Sequence, residues 1–368
     1  MSLFSFRLPI GLPSEYAVLN IKGMKNNHSA APLILLIVVS AFAAIRAGET
    51  SKPPPVEPPS DAEIRSTVSK GLGYLAREGE EWMAAKSCNS CHHVPELLRS
   101  HREAKQRGIA VDSKKFNQWL EWAVESAADK QPGSEESALL ILAMPERPAA
   151  DLTKLLLDKR ESDGGWKPAS QFATMQKRGE PDARASSTRL ILVALAASKP
   201  ESPELNAARV RAEVTLLKDE PRTSMESLVF GVLYARSFGN PEVGDVLREK
   251  IVKEQRGDGG WSSVVGENMS DPLATGQALY ALQPSSSMAS VSNAIARAQN
   301  WLLKTQRDDG SWPIDVTHIS KVDRSAPAKA KSLKEVRALY DYWGCSWATI
   351  GLLQGIPIVE QEDGKAAQ

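Results

Sequence analysis

The sequence predicts an all-α fold of stacked helical hairpins, on three observations. A short turn recurs, as Asp163-Gly164-Gly165-Trp166, Asp258-Gly259-Gly260-Trp261 and Asp309-Gly310-Ser311-Trp312. Apolar residues follow helical spacing from Asp61 onward, and no segment shows clear strand alternation. The turns are evenly placed: Trp261 and Trp312 are 51 positions apart, and Trp166 and Trp261 are 95 apart, close to two such units. That period is one helix pair, and a pair with one unburied face must stack on its neighbours. The pattern reads as about a dozen helices, hence about six hairpins.

Taken in order, Ser60-Asp61 reads as an N-cap, and Val68, Leu72, Tyr74 and Leu75 give the first helix an apolar face up to about Lys86. A Cys- and His-bearing stretch then stands where a Trp turn should close that helix. Helices are expected over 95–107, 116–127, 135–144 and 150–160, the last running into the first Trp turn. Ser186 to Ala197 is apolar nearly all round and should be buried. Further helices are expected over 205–217, 225–238, 243–254, 273–282 and 291–305. A polar loop from Pro313 to Ser332, carrying His318, precedes a last helix around Trp343 to Leu353. At each turn glycine supplies the left-handed backbone that stops a helix. The Trp after it is an apolar plate with one N–H to satisfy, and an upstream Gln amide can bond backbone groups left open at the helix ends.

The segment Arg297 to Trp312, with Trp301, Leu302, Gln306, Gly310 and Trp312 in place, resembles the complete QW repeat of squalene-hopene cyclases and related class II terpene cyclases. Gln255, Gly259 and Trp261 match its second half. Gly164 and Trp166 match with Arg160 where Gln is expected, and Lys70-Gly71-Leu72-Gly73-Tyr74-Leu75 matches the first half. The resemblance implies an α/α toroid, an inner helix ring around a cavity inside an outer ring. The Ala- and Thr-rich stretch Leu273 to Ala278 suits the crowded inner ring.

The same resemblance implies an alkene-protonating Asp in a D-x-D-D motif, which this chain lacks; Asp308-Asp309 lies within a turn and reads as a solvated capping pair. Cyclase cavities are lined with aromatics, whereas here aromatics are 6% and three of nine Trp are committed to turns. The fold is therefore expected and cyclisation is not. Prenyltransferase β subunits share the toroid and hold zinc with Asp, Cys and His. Asp341, Cys345 and His318 are the right types at the wrong spacing, and Cys345 reads as a buried small hydrophobe. Gly344-Cys345-Ser346-Trp347 is not the complement-type thioester motif.

With 45 basic and 45 acidic residues the chain carries no net charge, which argues against a nucleic-acid partner. Its 42% hydrophobic content is that of a globular protein. Residues 1–50 read as a signal peptide or N-terminal anchor. Lys22 and Lys25 precede an apolar run from Ala30 to Ile45, with small residues near Ala47-Gly48. That run is short for a span, so a cleaved signal is favoured over an anchor. Translation from Met24 would make the signal more regular. Residues 51–60 form a Pro-rich spacer, 61–358 the toroid and 359–368 a disordered tail. The expected location is exported, periplasmic or membrane-anchored facing the periplasm.

The chemical signal is Cys88-Asn89-Ser90-Cys91-His92, the attachment spacing of c-type haem. Cys88 and Cys91 would each form a thioether to a haem vinyl group, and His92 would be the axial iron ligand. Attachment of this kind occurs outside the cytoplasm, in agreement with the export signal. Other readings are a local disulfide between Cys88 and Cys91, a zinc site of Cys88, Cys91, His92 and His93, or simple thiols. A second iron ligand is not assigned: Met83, His101, His318 or one of the remaining Met residues could serve, or the site could be five-coordinate. The His92-His93 pair also resembles exported cyclase-like proteins of environmental bacteria whose first hairpin carries such a cluster, which implies no known reaction. No phosphate-binding Gly loop, Ser-centred nucleophile motif or zinc-protease helix is present.

Three functions follow as expectations. The first is a haem-bearing redox or electron-transfer module with a redox partner. The second is binding or transformation of an isoprenoid- or hopanoid-type apolar molecule, with the Cys pair structural. The third is a carbohydrate-acting or carbohydrate-binding toroid, which exposed Trp turns would permit.

Overall fold

The computed structural model describes residues 55–86, 88–89, 93–145, 147, 149–168, 179–198, 202–218, 222–283, 289–314 and 326–359, with the backbone alone at 289–290, 326–333 and 335–336. The export signal expected over 1–50, the start at Met24, and His318 lie outside these residues, as does nearly all of the expected tail. The described residues form twelve helices and no strand: α1 (Asp61–Ala85), α2 (Val94–Gln106), α3 (Ser113–Asp129), α4 (Ser134–Ala143), α5 (Ala150–Asp158), α6 (Glu180–Ser198), α7 (Pro203–Thr215), α8 (Met225–Ser237), α9 (Pro241–Lys253), α10 (Pro272–Leu282), α11 (Ala289–Thr305) and α12 (Ala326–Leu353). None is long and apolar enough to cross a membrane.

Local chemistry starts these helices. Ser60 and Glu63 form a capping box at α1. Asp112, Ser202, Ser224, Asn240 and Asp271 each accept a backbone N–H from the first turn of their helix. Two starts differ from the sequence expectation. α6 begins at Glu180, its polar first turn using Pro181 and Asp182 as helix-start residues. α12 begins at Ala326 where a loop was expected to Ser332. That stretch is rich in the good helix formers Ala and Lys but has no apolar stripe, so periodicity missed it.

Alternate helices close a ring. α2, α4, α6, α8, α10 and α12 each pack on the next, and α12 packs on α2. The odd-numbered helices stand outside, with α1 against α2 and α12 at the closure. The fold is the expected α/α toroid of six hairpins. The inner helices approach closely where side chains are small: a Cβ on Gly276 of α10 would run into the Trp347 backbone of α12.

The Trp turns are the joints between outer and inner rings, and all three share one hydrogen-bond pattern. Asp163, Asp258 and Asp309 each accept the backbone N–H two residues on. Gly164, Gly259 and Gly310 hold φ of 90°, 101° and 90°. The indoles of Trp166, Trp261 and Trp312 are fully buried and donate to Leu156, Ile251 and Leu302 carbonyls, ten residues back, at 2.7–2.8 Å. Burying each plate contributes at most about 4–6 kcal/mol by area. This burial overturns the expectation of exposed Trp turns available to a carbohydrate: the indoles face the interior because their N–H groups cap outer-helix carbonyls.

Each turn also docks on the next outer helix. Gly164 meets Arg211 and Ala212 of α7, Gly259 meets Arg297 of α11, and Gly310 meets the Lys70 backbone of α1. Gln255 donates to Gly259 and Ala294 carbonyls, and Gln306 to Gly310 and Thr67 carbonyls. The half-repeat at Lys70-Gly71 is thus the acceptor for the last turn. Inside the ring, Thr188 and Thr275 hydroxyls receive the backbone N–H of Trp166 and Trp261, and Cys345 takes the corresponding place beside Trp312. Burial pushes the Cys345 thiol well up, so it is an inert thiol behind a turn.

Candidate functional site

The α1–α2 connection takes the place that a Trp turn holds in three of the other five hairpins, and it is fastened from both sides. The Trp82 indole at the end of α1 donates to the Cys88 carbonyl at 2.8 Å. Asn89 is buried, and its amide donates to the Ala123 carbonyl of α3 at 3.0 Å. His93, the N-cap of α2, is buried as a plate between Trp82 and Tyr342, with ring centroids 4.1 and 4.3 Å away. The Tyr342 hydroxyl, from α12, donates toward the carbonyls of Leu75 and His93. Between these anchors Cys88 is an exposed free thiol. Cys91 and His92 lie outside the described residues.

Two of the remaining second-ligand candidates are placed. Met83 is partly buried against the core at the end of α1. His101 is buried in α2, its Nδ1 2.8 Å from the Leu97 carbonyl and its ring edge-on to Trp119. Burial pushes it down to about 4, against the Leu97 carbonyl and Glu80, so it is neutral. It lies eight residues beyond His93, about 12 Å along the helix. Asp341 accepts the Ile314 N–H at 2.7 Å and approaches Arg307 at 3.5 Å, so it braces the third turn. An open pocket of about 560 Å³ beside that turn is walled by charges of both signs, among them Glu78, Arg307, Asp309 and Arg337.

Bonds from Ser187 to Glu135, Ser224 to Asp182 and Gln277 to Glu226 join the N-terminal parts of successive inner helices, so these helices run the same way and the α1–α2 connection opens at their N-terminal ends. Here the first turns of four successive inner helices each carry a buried carboxyl: Glu96 in α2, Glu135 in α4, Asp182 in α6 and Glu226 in α8. Helix N-termini favour negative charge. Three of the four reach the next inner helix. Glu135 accepts from Ser187 of α6. Asp182 accepts from the Thr223 N–H and the Ser224 hydroxyl at the cap of α8. Glu226 accepts from Gln277 of α10 at 3.2 Å. Glu96 departs from the series: it is 1% exposed and neither carboxyl oxygen has a hydrogen-bond partner. Burial raises it to about 7, Arg99 opposing and Glu226 adding to the rise.

One turn further along α2, the Arg99 guanidinium lies over Trp347 of α12 and Tyr280 of α10, at 4.6 and 4.8 Å from the ring centroids. Burial raises the Tyr280 phenol, but the Arg99 charge, its hydrogen bond and the more distant Arg236 together bring the net shift downward. α8 and α10 are not ring neighbours of α2, so the couplings of Glu96 to Glu226 and Arg99 to Tyr280 cross the lumen. The ring interior is therefore charged. Sequence reading passed over these groups because an acid in a first helical turn is ordinary capping chemistry. The available signal was Glu135, directly ahead of an apolar run.

No family model matches this chain, and no curated protein matches it. Solved structures do. A possible member of the GH105 family from Klebsiella pneumoniae aligns with TM-score 0.56 at 10% identity, covering 83% of this chain and 95% of that one. A counterpart from Salmonella enterica serovar Paratyphi A aligns with TM-score 0.54 at 11% identity, covering 83% and 96%. The type II terpene cyclase MstE from Scytonema aligns with TM-score 0.51 at 12% identity, covering 81% and 100%. At these identities the likeness is one of fold: a terpenoid-cyclase-like helical toroid.

Proposed function

We propose that this protein is an exported toroid that carries a c-type haem on its first hairpin and serves one-electron transfer. The observation that carries the reading is the replacement of one Trp turn by Cys-X-X-Cys-His, in a loop pinned by Asn89, Trp82 and His93 yet exposing the Cys88 thiol. That donor set fits the group: Cys88 and Cys91 would hold it as thioethers and His92 would ligate its iron. The bound haem would supply a metal centre that changes oxidation state by one electron. The chain's own part is to fix the attachment loop against a rigid ring, which limits reorganisation when charge changes. The basic and apolar features of residues 1–50 support export to a compartment where thioethers form.

The alternative, an apolar isoprenoid- or hopanoid-type ligand within the ring, is disfavoured by the charged interior around Glu96, Arg99, Glu135 and Glu226. A zinc site or a disulfide at the Cys pair is the remaining contrast. Periplasmic expression alongside haem c maturation functions tests the proposal. The expected result is covalent haem stain on a denaturing gel and a reduced-minus-oxidised spectrum with haem c bands, both lost in C88S/C91S. Absence of haem from wild type, with stoichiometric zinc or an oxidised Cys88–Cys91 pair in its place, overturns it.

A further inference from the structure

We infer that Glu96 is a proton-binding site enclosed in the lumen of the ring, set beneath the loop that carries Cys88, Cys91 and His92. The inference has a structural footing that does not depend on the haem. The described interior holds four first-turn carboxyls, Glu96, Glu135, Asp182 and Glu226, against two buried guanidinium groups, Arg99 and Arg189. All four sit at helix N-termini, and the bonds from Ser187, Thr223, Ser224 and Gln277 support three of them. Glu96 alone in the series has no donor on either oxygen, and each oxygen is sealed from solvent. A carboxylate in that position would be desolvated and unpartnered, facing Glu226 from the opposite side of the ring. A carboxylic acid has no such difficulty. The proton thus does for Glu96 what a neighbouring helix does for the other three.

Its charged neighbours set its occupancy. Arg99, on the same helix, favours the carboxylate, and Glu226 of α8 favours the acid. Tyr342 of α12 is electrostatically coupled to Glu96, and its hydroxyl contacts the His93 carbonyl of the loop. Glu135 of α4, Asp182 and Arg189 of α6 and Tyr280 of α10 are further interior titratable groups, and His93 caps the helix on which Glu96 sits. Charge arriving in the loop acts on Glu96 through this buried interior, where Coulomb interactions are less screened than in bulk water. On the haem reading, a centre reduced by an external one-electron donor would favour the acid form of Glu96, which would take up a proton from solvent. Oxidation releases that proton.

The test has arms that separate this inference from the haem reading. Infrared spectra of the full chain, titrated from about pH 5 to about pH 9, report a carboxylic acid C=O band directly. Wild type is expected to lose such a band as pH rises through neutrality. E96Q is expected to lack the titrating component, and E226Q, which removes the opposing charge, to move the loss to lower pH. A wild-type band identical to that of E96Q at every pH overturns the proton site, whatever the haem stain shows. A negative haem stain with a titrating Glu96 band sinks the haem reading and leaves the proton site standing. In haem-bearing protein, the midpoint potential is expected to fall with pH near neutrality by up to about 59 mV per tenfold change in proton concentration. E96Q flattens that slope, and equal slopes in the two proteins overturn the coupling.

Discussion

Gln306 donates its amide to the Thr67 carbonyl at 2.9 Å, joining residues 239 positions apart. The same amide holds its own turn through the Gly310 carbonyl at 3.1 Å. Gln255 does this between its turn and Ala294, one hairpin earlier. The repeat is therefore a two-sided clasp, its turn in one hairpin and its acceptor carbonyl in the next. Gln306 differs only in that its next hairpin is the first one, so this bond sits at the seam of the ring.

Breaking the seam should destabilise the whole domain. Gly310 has φ of 90° and its missing Cβ leaves room for the Lys70 carbonyl. Gly310→Ala should cost on the order of 2–3 kcal/mol from backbone strain and steric displacement. Gln306→Ala should cost about 1–3 kcal/mol, leaving two carbonyls short of a donor. Denaturant unfolding followed by circular dichroism checks both.

Trp261→Ala removes a fully buried plate and its bond to the Ile251 carbonyl. The expected loss is about 3–5 kcal/mol. Trp261→Phe should lose less, since most of the packing survives. Equal losses in the two variants would place the value of Trp261 in its N–H rather than its bulk.

Stability should fall with rising pH across a defined window because of Glu96. Its folded value is raised to about 7 by burial, while an unfolded glutamate titrates near about 4.3. Between those values the folded state binds more protons than the unfolded state. The contribution is neutral below the window, declines through it, and reaches a loss of at most roughly 4 kcal/mol above it. Glu96→Gln should therefore match wild type near about pH 4 and exceed it near about pH 8. Urea midpoints over that range, compared between the two proteins, give the answer.

His93 anchors the loop through stacking rather than through an exposed imidazole. His93→Ala should open a gap between Trp82 and Tyr342, with a loss of about 2 kcal/mol. Faster proteolysis between α1 and α2 and lower haem content per chain are expected. His93→Phe, which keeps the plate, should restore most of the protease resistance.

Much of the ring was legible in the sequence because its joints are chemically distinctive. Gly164, Gly259 and Gly310 need a left-handed backbone, and an indole with a nearby Gln is a rare local signature. The half-repeat at Lys70-Gly71 was visible too, but its meaning was not: only three-dimensional closure shows it as the partner of Gly310. Burial of the Trp turns was misread, since a polar turn hides the direction of its aromatic residue. The start of α12 at Ala326 was missed because propensity without an apolar stripe leaves no periodic trace. The lumen was least legible. Glu96 and Glu135 look alike as first-turn acids, and they differ only in that Ser187 reaches one and nothing reaches the other.

The clasp between Gln306 and Thr67 also constrains how the domain can form. α1 takes its seat against α2, α11 and α12, and two of these lie more than 200 residues further along the chain. A hairpin array with free ends could grow stepwise from whichever unit folds first. This one cannot finish its first helix until its last has arrived, so contacts of very long sequence separation fall late and slow the reaction. Removing α12 should therefore not shorten the domain by one helix but leave both edges open, with α1 released from one end and α10 stripped at the other.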